Sequence, residues 1–137
     1  MGKVKFKILE HTADIKFKVY GDSLNELFEN ATLALCNYIS RGNKIKDSKK
    51  RKIEIEGRDK ESLFYAFLDE LIYLIDAEDF LSSKAKITIK DNFLEGELNG
   101  DKASNYKNLD QIKAATYSEM EITQKKTSWE AQFVLDV

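Results

Sequence analysis

Residues 59–75, DKESLFYAFLDELIYLI, decide the fold. A helix begins near Asp59, and Leu63, Phe64, Phe67, Leu68, Leu71, Ile72 and Ile75 recur at the three- and four-residue spacing that puts them on one side of it. A face that broad covers a sheet rather than one partner helix, so the segment reads as the core helix. Its remaining positions, among them Glu61, Asp69, Glu70 and Asp76, form the solvated side; an acidic row is the ordinary complement of an apolar face, not a catalytic array. A first helix is read upstream. Ser23 and Glu26 form a capping-box pair, Leu24, Leu27, Phe28, Ala31 and Leu35 lie along one side, and Gly42 is placed to end it.

Around these helices the apolar period becomes two. Val4, Phe6 and Ile8, then Ile15, Phe17 and Val19, give two strands of one sheet; Ile53 and Ile55 give a third. Ala85, Ile87 and Ile89 give a fourth, which turns at Asp91-Asn92 into a fifth from Phe93 to Leu98. Two last strands are expected around Ile112 to Ile122 and Trp129 to Leu135, joined by the polar stretch Thr123 to Ser128. Turn-linked strands with the helices segregated from them specify an α+β fold, a two-layer sandwich of two main helices packed on mainly antiparallel sheet structure. Neither GxGxxG nor GxxxxGK[ST] occurs, which argues against a self-contained nucleotide site. Proline is absent, and Gly21, Gly57 and Gly100 are expected at segment ends.

A chain of 137 residues with 42% hydrophobic and 34% charged residues fits one domain, residues 1–137, able to fold without staples. The formal net charge of −2 gives no global attraction for polyanions. The basic run Lys44 to Lys52 is read as a solvated loop, since no aromatic residues interleave it for base stacking. Lone Cys36, inside the first helix, is a buried structural thiol. The start of the chain lacks the apolar core of a signal peptide and no stretch reaches membrane-spanning length, so a cytoplasmic protein without a membrane partner is expected.

Two aspartates draw attention by parity. Asp14 alternates with Lys16 and Lys18, opposite the apolar set of its strand; Asp136 lies opposite Trp129, Ala131, Phe133 and Leu135. Both should avoid the core. With the α-carboxylate of Val137 they would offer oxygen donors suited to a hard divalent cation. Alone, such a pair is most often plain surface.

The stretches His11-Thr12-Ala13-Asp14-Ile15, Val19 to Leu24, Leu63 to Leu71, Ile112-Lys113-Ala114-Ala115-Thr116-Tyr117 and Trp129 to Val137 together resemble the archease family over nearly the whole chain. The HTADI and KAxTY motifs in that order, with the late aspartate, make the resemblance specific. It implies a protein without catalytic residues of its own, an activator of the GTP-dependent RNA ligase of tRNA splicing that promotes the ligase's guanylylation and multiple turnover, with tRNA reached through the ligase. It further implies a metal site at Asp14, Asp136 and Val137, with Ca²⁺ first and Mg²⁺ or Mn²⁺ as alternatives. His11, Lys113 and Tyr117 stand beside it as groups that would support the ligands or contact the partner. Many family members carry a histidine after the Thr-Tyr pair, where this chain has Ser118; the segment from Gly100 to Ile112 is also short and lacks the family's usual histidine.

Two other readings compete. One is an RNA-binding chaperone, or a modulator of another RNA-processing enzyme such as an RNA methylase, using the basic run. The other is a small metal-dependent hydrolase in which Asp14 and Asp136 hold a metal-bound water; no Ser/His/Asp order, HExxH or CxxC adds to it.

Overall fold

A computed structural model describes residues 3–10 and 13–137. Through these run β1 (Phe6–Glu10), β2 (Asp14–Gly21), α1 (Leu24–Ile39), β3 (Lys49–Glu56), α2 (Lys60–Glu78), β4 (Phe80–Lys90), β5 (Phe93–Lys102), β6 (Ala114–Gln124) and β7 (Trp129–Asp136). The fold is the expected α+β arrangement, two helices packed on antiparallel sheet structure, which is divided into a four-stranded sheet β1-β2-β7-β6 and a three-stranded sheet β3-β5-β4.

Local chemistry explains the element ends. The Ser23 hydroxyl accepts from the Glu26 N–H at 3.1 Å, but the Glu26 carboxylate accepts from Asp22 N–H rather than closing the box on Ser23. In α2 the box is complete and its partner is Ser62: Asp59 accepts from Ser62 N–H at 2.7 Å, and the Ser62 hydroxyl accepts from Asp59 N–H. At the end of α1 both Arg41 (φ 57) and the expected Gly42 (φ 81) are left-handed, with Arg41 at the first position past the cap. Arg41 N–H donates to Tyr38 O and Gly42 N–H to Asn37 O, the paired bonds of a Schellman motif. Asp91 (φ 52) and Asn92 (φ 61) are both left-handed, as a two-residue type I′ hairpin between β4 and β5 requires.

The core forms where the apolar sets of both helices meet the sheets. Phe17 of β2 stacks on its register partner Phe133 of β7 at 4.9 Å; Phe64 of α2 meets Phe133 edge-on at 5.2 Å, and Phe28 of α1 meets Phe64 likewise at 4.9 Å. These rings are fully buried, so one aromatic cluster ties both helices to the middle of the larger sheet. Cys36 is buried as expected, and burial pushes its thiol up to about 11.

Three expectations need correction. The basic run is a loop only as far as Ser48; Lys49 to Lys52 are the first half of β3, drawn into the sheet by pairing with β5. Gly100 is not a segment end but lies inside β5, where a Cβ would collide with the Leu81 carbonyl beside the β4 bulge. Finally, β4 begins at Phe80 rather than near Ala85, because Phe80 and Leu81 are buried in the core.

Near the end of β5, Asp101 ties the segment ahead of β3 to the turn that follows β5. Its buried carboxylate accepts from Tyr106 Oη (2.7 Å), Ser48 Oγ (2.9 Å), Lys102 N–H (2.9 Å) and Asn105 Nδ2 (3.2 Å). The Tyr106 hydroxyl leads these donors in holding the carboxyl down to about 2.

Candidate functional site

Three strand ends meet at one end of the four-stranded sheet. β2 begins at Asp14, β7 ends at Asp136 and β6 begins at Ala114; the register sets Asp136 between Asp14 and Ala114. Directly paired residues of antiparallel strands share a face and bring their Cβ atoms to about 5 Å. The two aspartate side chains therefore leave the sheet side by side. That face is the one away from the helices: along β2 the buried residues are Ile15, Phe17, Val19 and Gly21, while Asp14 is half-buried and Asp136 exposed.

The end of β7 is held in place. Lys113 N–H donates to Asp136 O at 2.8 Å, and half-buried Val137 packs against the core. Among the described residues neither carboxylate has a hydrogen-bond or ion-pair partner. Lys16, next on that face of β2, is already engaged: its ammonium lies 2.7 Å from Glu119, and its side chain is only 18% exposed. Two carboxyl groups thus stand side by side with no cationic partner among the described residues, and like charges directly opposite one another on a sheet are unfavourable unless positive charge is supplied.

Beside the pair, β6 bulges. The register passes from Thr116 opposite Val134 to Glu121 opposite Gln132, Glu119 adopts φ 58, and Gln132 Nε2 donates to Glu119 O at 3.1 Å. Glu119 thereby reaches across β7 to Lys16, and this explains why Val134 is buried on the face turned from the helices. Ser118 lies in the bulge, its N–H donating to Thr116 Oγ1. The sequence reading missed this bulge, although it carries a signal: the apolar residues of β6 change parity from Ala115 and Tyr117 to Met120 and Ile122.

The other residues singled out fall in different places. Tyr117 points to the helix side, stacked on Tyr65 of α2 at 4.1 Å and 7°, so it does not join the carboxylates. Lys113 contributes its main-chain bond, with its side chain exposed. His11 lies outside the described residues. Among the described residues no three His, Cys, Asp or Glu side chains assemble as metal ligands, so the site is a pair of aspartates and not a closed cage. Carboxylate oxygens suit a hard cation that completes its shell with water or with a partner's groups.

A model of the Archease protein family matches residues 6–137. The protein archease of Sulfurisphaera tokodaii is 36% identical over 137 residues, covering 97% of this chain and 99% of its own. That of Pyrococcus furiosus is 43% identical over 135 residues, with 93% and 95% covered. Among solved structures, the solution structure of Methanobacterium thermoautotrophicum protein 1598 superposes with a TM-score of 0.78 at 31% identity, covering 96% of this chain and 98% of that one. A Thermotoga maritima crystal structure, described as an archease and possible chaperone, gives a TM-score of 0.68 at 21% identity over the full length of both chains, a likeness of fold.

Proposed function

The chain belongs to the archease family, and from that premise we propose that it is a non-catalytic activator of the GTP-dependent RNA ligase of tRNA splicing, acting through the Asp14–Asp136 end of its larger sheet. The observation that supports this reading is the direct register pairing of Asp14 with Asp136, both without a protein partner among the described residues. Such a pair gains from a divalent cation, Ca²⁺, Mg²⁺ or Mn²⁺, which would be held by the two carboxylates with a main-chain oxygen of Val137 beside them. The cation would supply charge neutralisation and orientation where GMP is transferred to the ligase's own nucleophile. The chain's residues do the placing: β2 and β7 fix the carboxylates, Lys113 N–H and the packing of Val137 keep the strand end rigid, and the Lys16–Glu119 pair keeps the neighbouring ammonium from collapsing onto Asp14. RNA meets this protein through the ligase.

The test is multiple-turnover joining of tRNA halves by the cognate ligase with GTP and divalent metal. The expected outcome is stimulation by the protein, lost by about a hundredfold in Asp14→Ala and Asp136→Ala variants that remain folded. Full stimulation by either variant would remove the aspartates from the mechanism; no stimulation by the unmodified protein would remove the ligase.

A further inference from the structure

The two edges of the smaller sheet are finished differently. On β4, the outward N–H groups of Ile87 and Ile89 donate to Glu29 Oε2 and Asn25 Oδ1 of α1, each at 2.9 Å, so the helix closes that edge. Among the described residues no side chain caps the β3 edge in this way.

Its phase follows from the neighbouring bonds. Gly57 N–H donates to Asn92 O, directly opposite in the β3–β5 register, so odd-numbered residues of β3 turn their main-chain groups toward β5. The outward bonds of Ile87 and Ile89 give the same phase from the other side of the sheet. The N–H and C=O groups of Lys50, Lys52, Glu54 and Glu56 therefore face outward. Their side chains are all exposed. Within the protomer Lys50 has only a loose pair with Glu97 at 3.7 Å, and among the described residues Lys52, Glu54 and Glu56 have no ion pair. Glu54 even lies opposite another acid, Glu95.

We propose that β3 is a homodimerisation edge, pairing antiparallel with β3 of a second copy about a two-fold axis at Ile53 to make one continuous six-stranded sheet. The strand reads Lys49-Lys50-Arg51-Lys52-Ile53-Glu54-Ile55-Glu56, basic in its first half and acidic on the same face in its second. With the axis at Ile53, Lys52 meets Glu54 of the other copy and Lys50 meets Glu56, each twice by symmetry. These even-numbered residues are the ones whose main-chain groups face outward, so the charge pairs coincide with the hydrogen-bonded pairs. The alternatives fail. An axis one residue earlier sets Lys52 against Lys52, one residue later sets Glu54 against Glu54, and parallel pairing in register sets like against like throughout. On the helix side Ile53 meets its own symmetry mate. Lysines on an exposed edge ordinarily repel another strand; here the acidic half turns that repulsion into selection for one register.

Sedimentation-equilibrium analysis of the full chain over a concentration series provides the test. The expected result is a concentration-dependent dimer that weakens as salt is raised. Lys52→Glu and Glu54→Lys each place like charges across the axis and should raise the dissociation constant by about tenfold or more. Mixed one to one, the two variants should form a heterodimer of near-original strength, because each reversed charge meets its opposite; the double variant should dimerise with itself. Hydrogen exchange at the Lys52 and Glu54 amides should slow on dimerisation, whereas the Arg51 and Ile53 amides are already protected by β5. A protein that stays monomeric to about 1 mM, single variants within about twofold of the original, or a mixture that fails to recover would each overturn the proposal.

Discussion

Asp101 and the Asp14–Asp136 pair are the same chemical group in opposite circumstances. Asp101 is buried and accepts four hydrogen bonds, drawn from Ser48, Lys102, Asn105 and Tyr106. Asp14 and Asp136 lie at a sheet end, face one another, and receive nothing from the described residues. A carboxylate whose lone pairs the protein has filled holds the fold together; a carboxylate left unfilled beside a like charge is available to a ligand. The comparison yields opposite expectations for the same substitution at the two places.

The largest effect is expected at Asp101→Ala, which strands four donors and should lower Tm by about 10 °C in a thermal melt. The acid limb tests the same carboxylate by titration. Its folded value of about 2 lies below the ordinary 3.8, so its contribution is complete above about pH 4 and disappears as pH falls toward 2. Asp101→Asn should flatten the stability-pH curve across that window. Tyr106→Phe removes one donor to Asp101 and the acceptor of Lys46 N–H, and should cost about 1–2 kcal/mol by denaturant titration. A smaller change should follow from Ca²⁺ at about five times its dissociation constant: a gain of about 1 kcal/mol in the unmodified protein and in Tyr106→Phe, absent from Asp14→Ala. The smallest belongs to Asp136→Asn, where relief of repulsion should leave stability within about 0.5 kcal/mol of the original or slightly higher. A drop there as large as at Asp101 would erase the distinction between the two sites.

These sites were unequally legible in the sequence. Local periodicity exposes the helices, because Leu63, Phe64, Phe67 and Leu68 repeat within one or two turns, and the Asp91-Asn92 hairpin is likewise a local signal. Parity alone put Asp14 and Asp136 on the outer face, as found. Their direct opposition is a non-local register that only the assembled sheet specifies. Asp101 was not legible at all: its donors come from Ser48 ahead of β3 and from Lys102, Asn105 and Tyr106 at and beyond the end of β5, and in sequence it is one more aspartate before a loop. The extension of β3 into the basic run was hidden for a related reason. Alternation is weak where Lys49 to Lys52 carry charge on both faces, and pairing with β5 decides the matter.

The position of β7 between β2 and β6 also governs when the acidic pair can exist during folding. Asp14 and Asp136 lie far apart in the chain and meet through the β2–β7 ladder, the strand pairing of longest range among the described residues. Closing so long a loop is entropically late, so a chain with both helices formed but β7 undocked carries two ordinary, separate aspartates. Any activity that needs the pair is thus proofread by topology, since misfolded or truncated chains are silent rather than partly active.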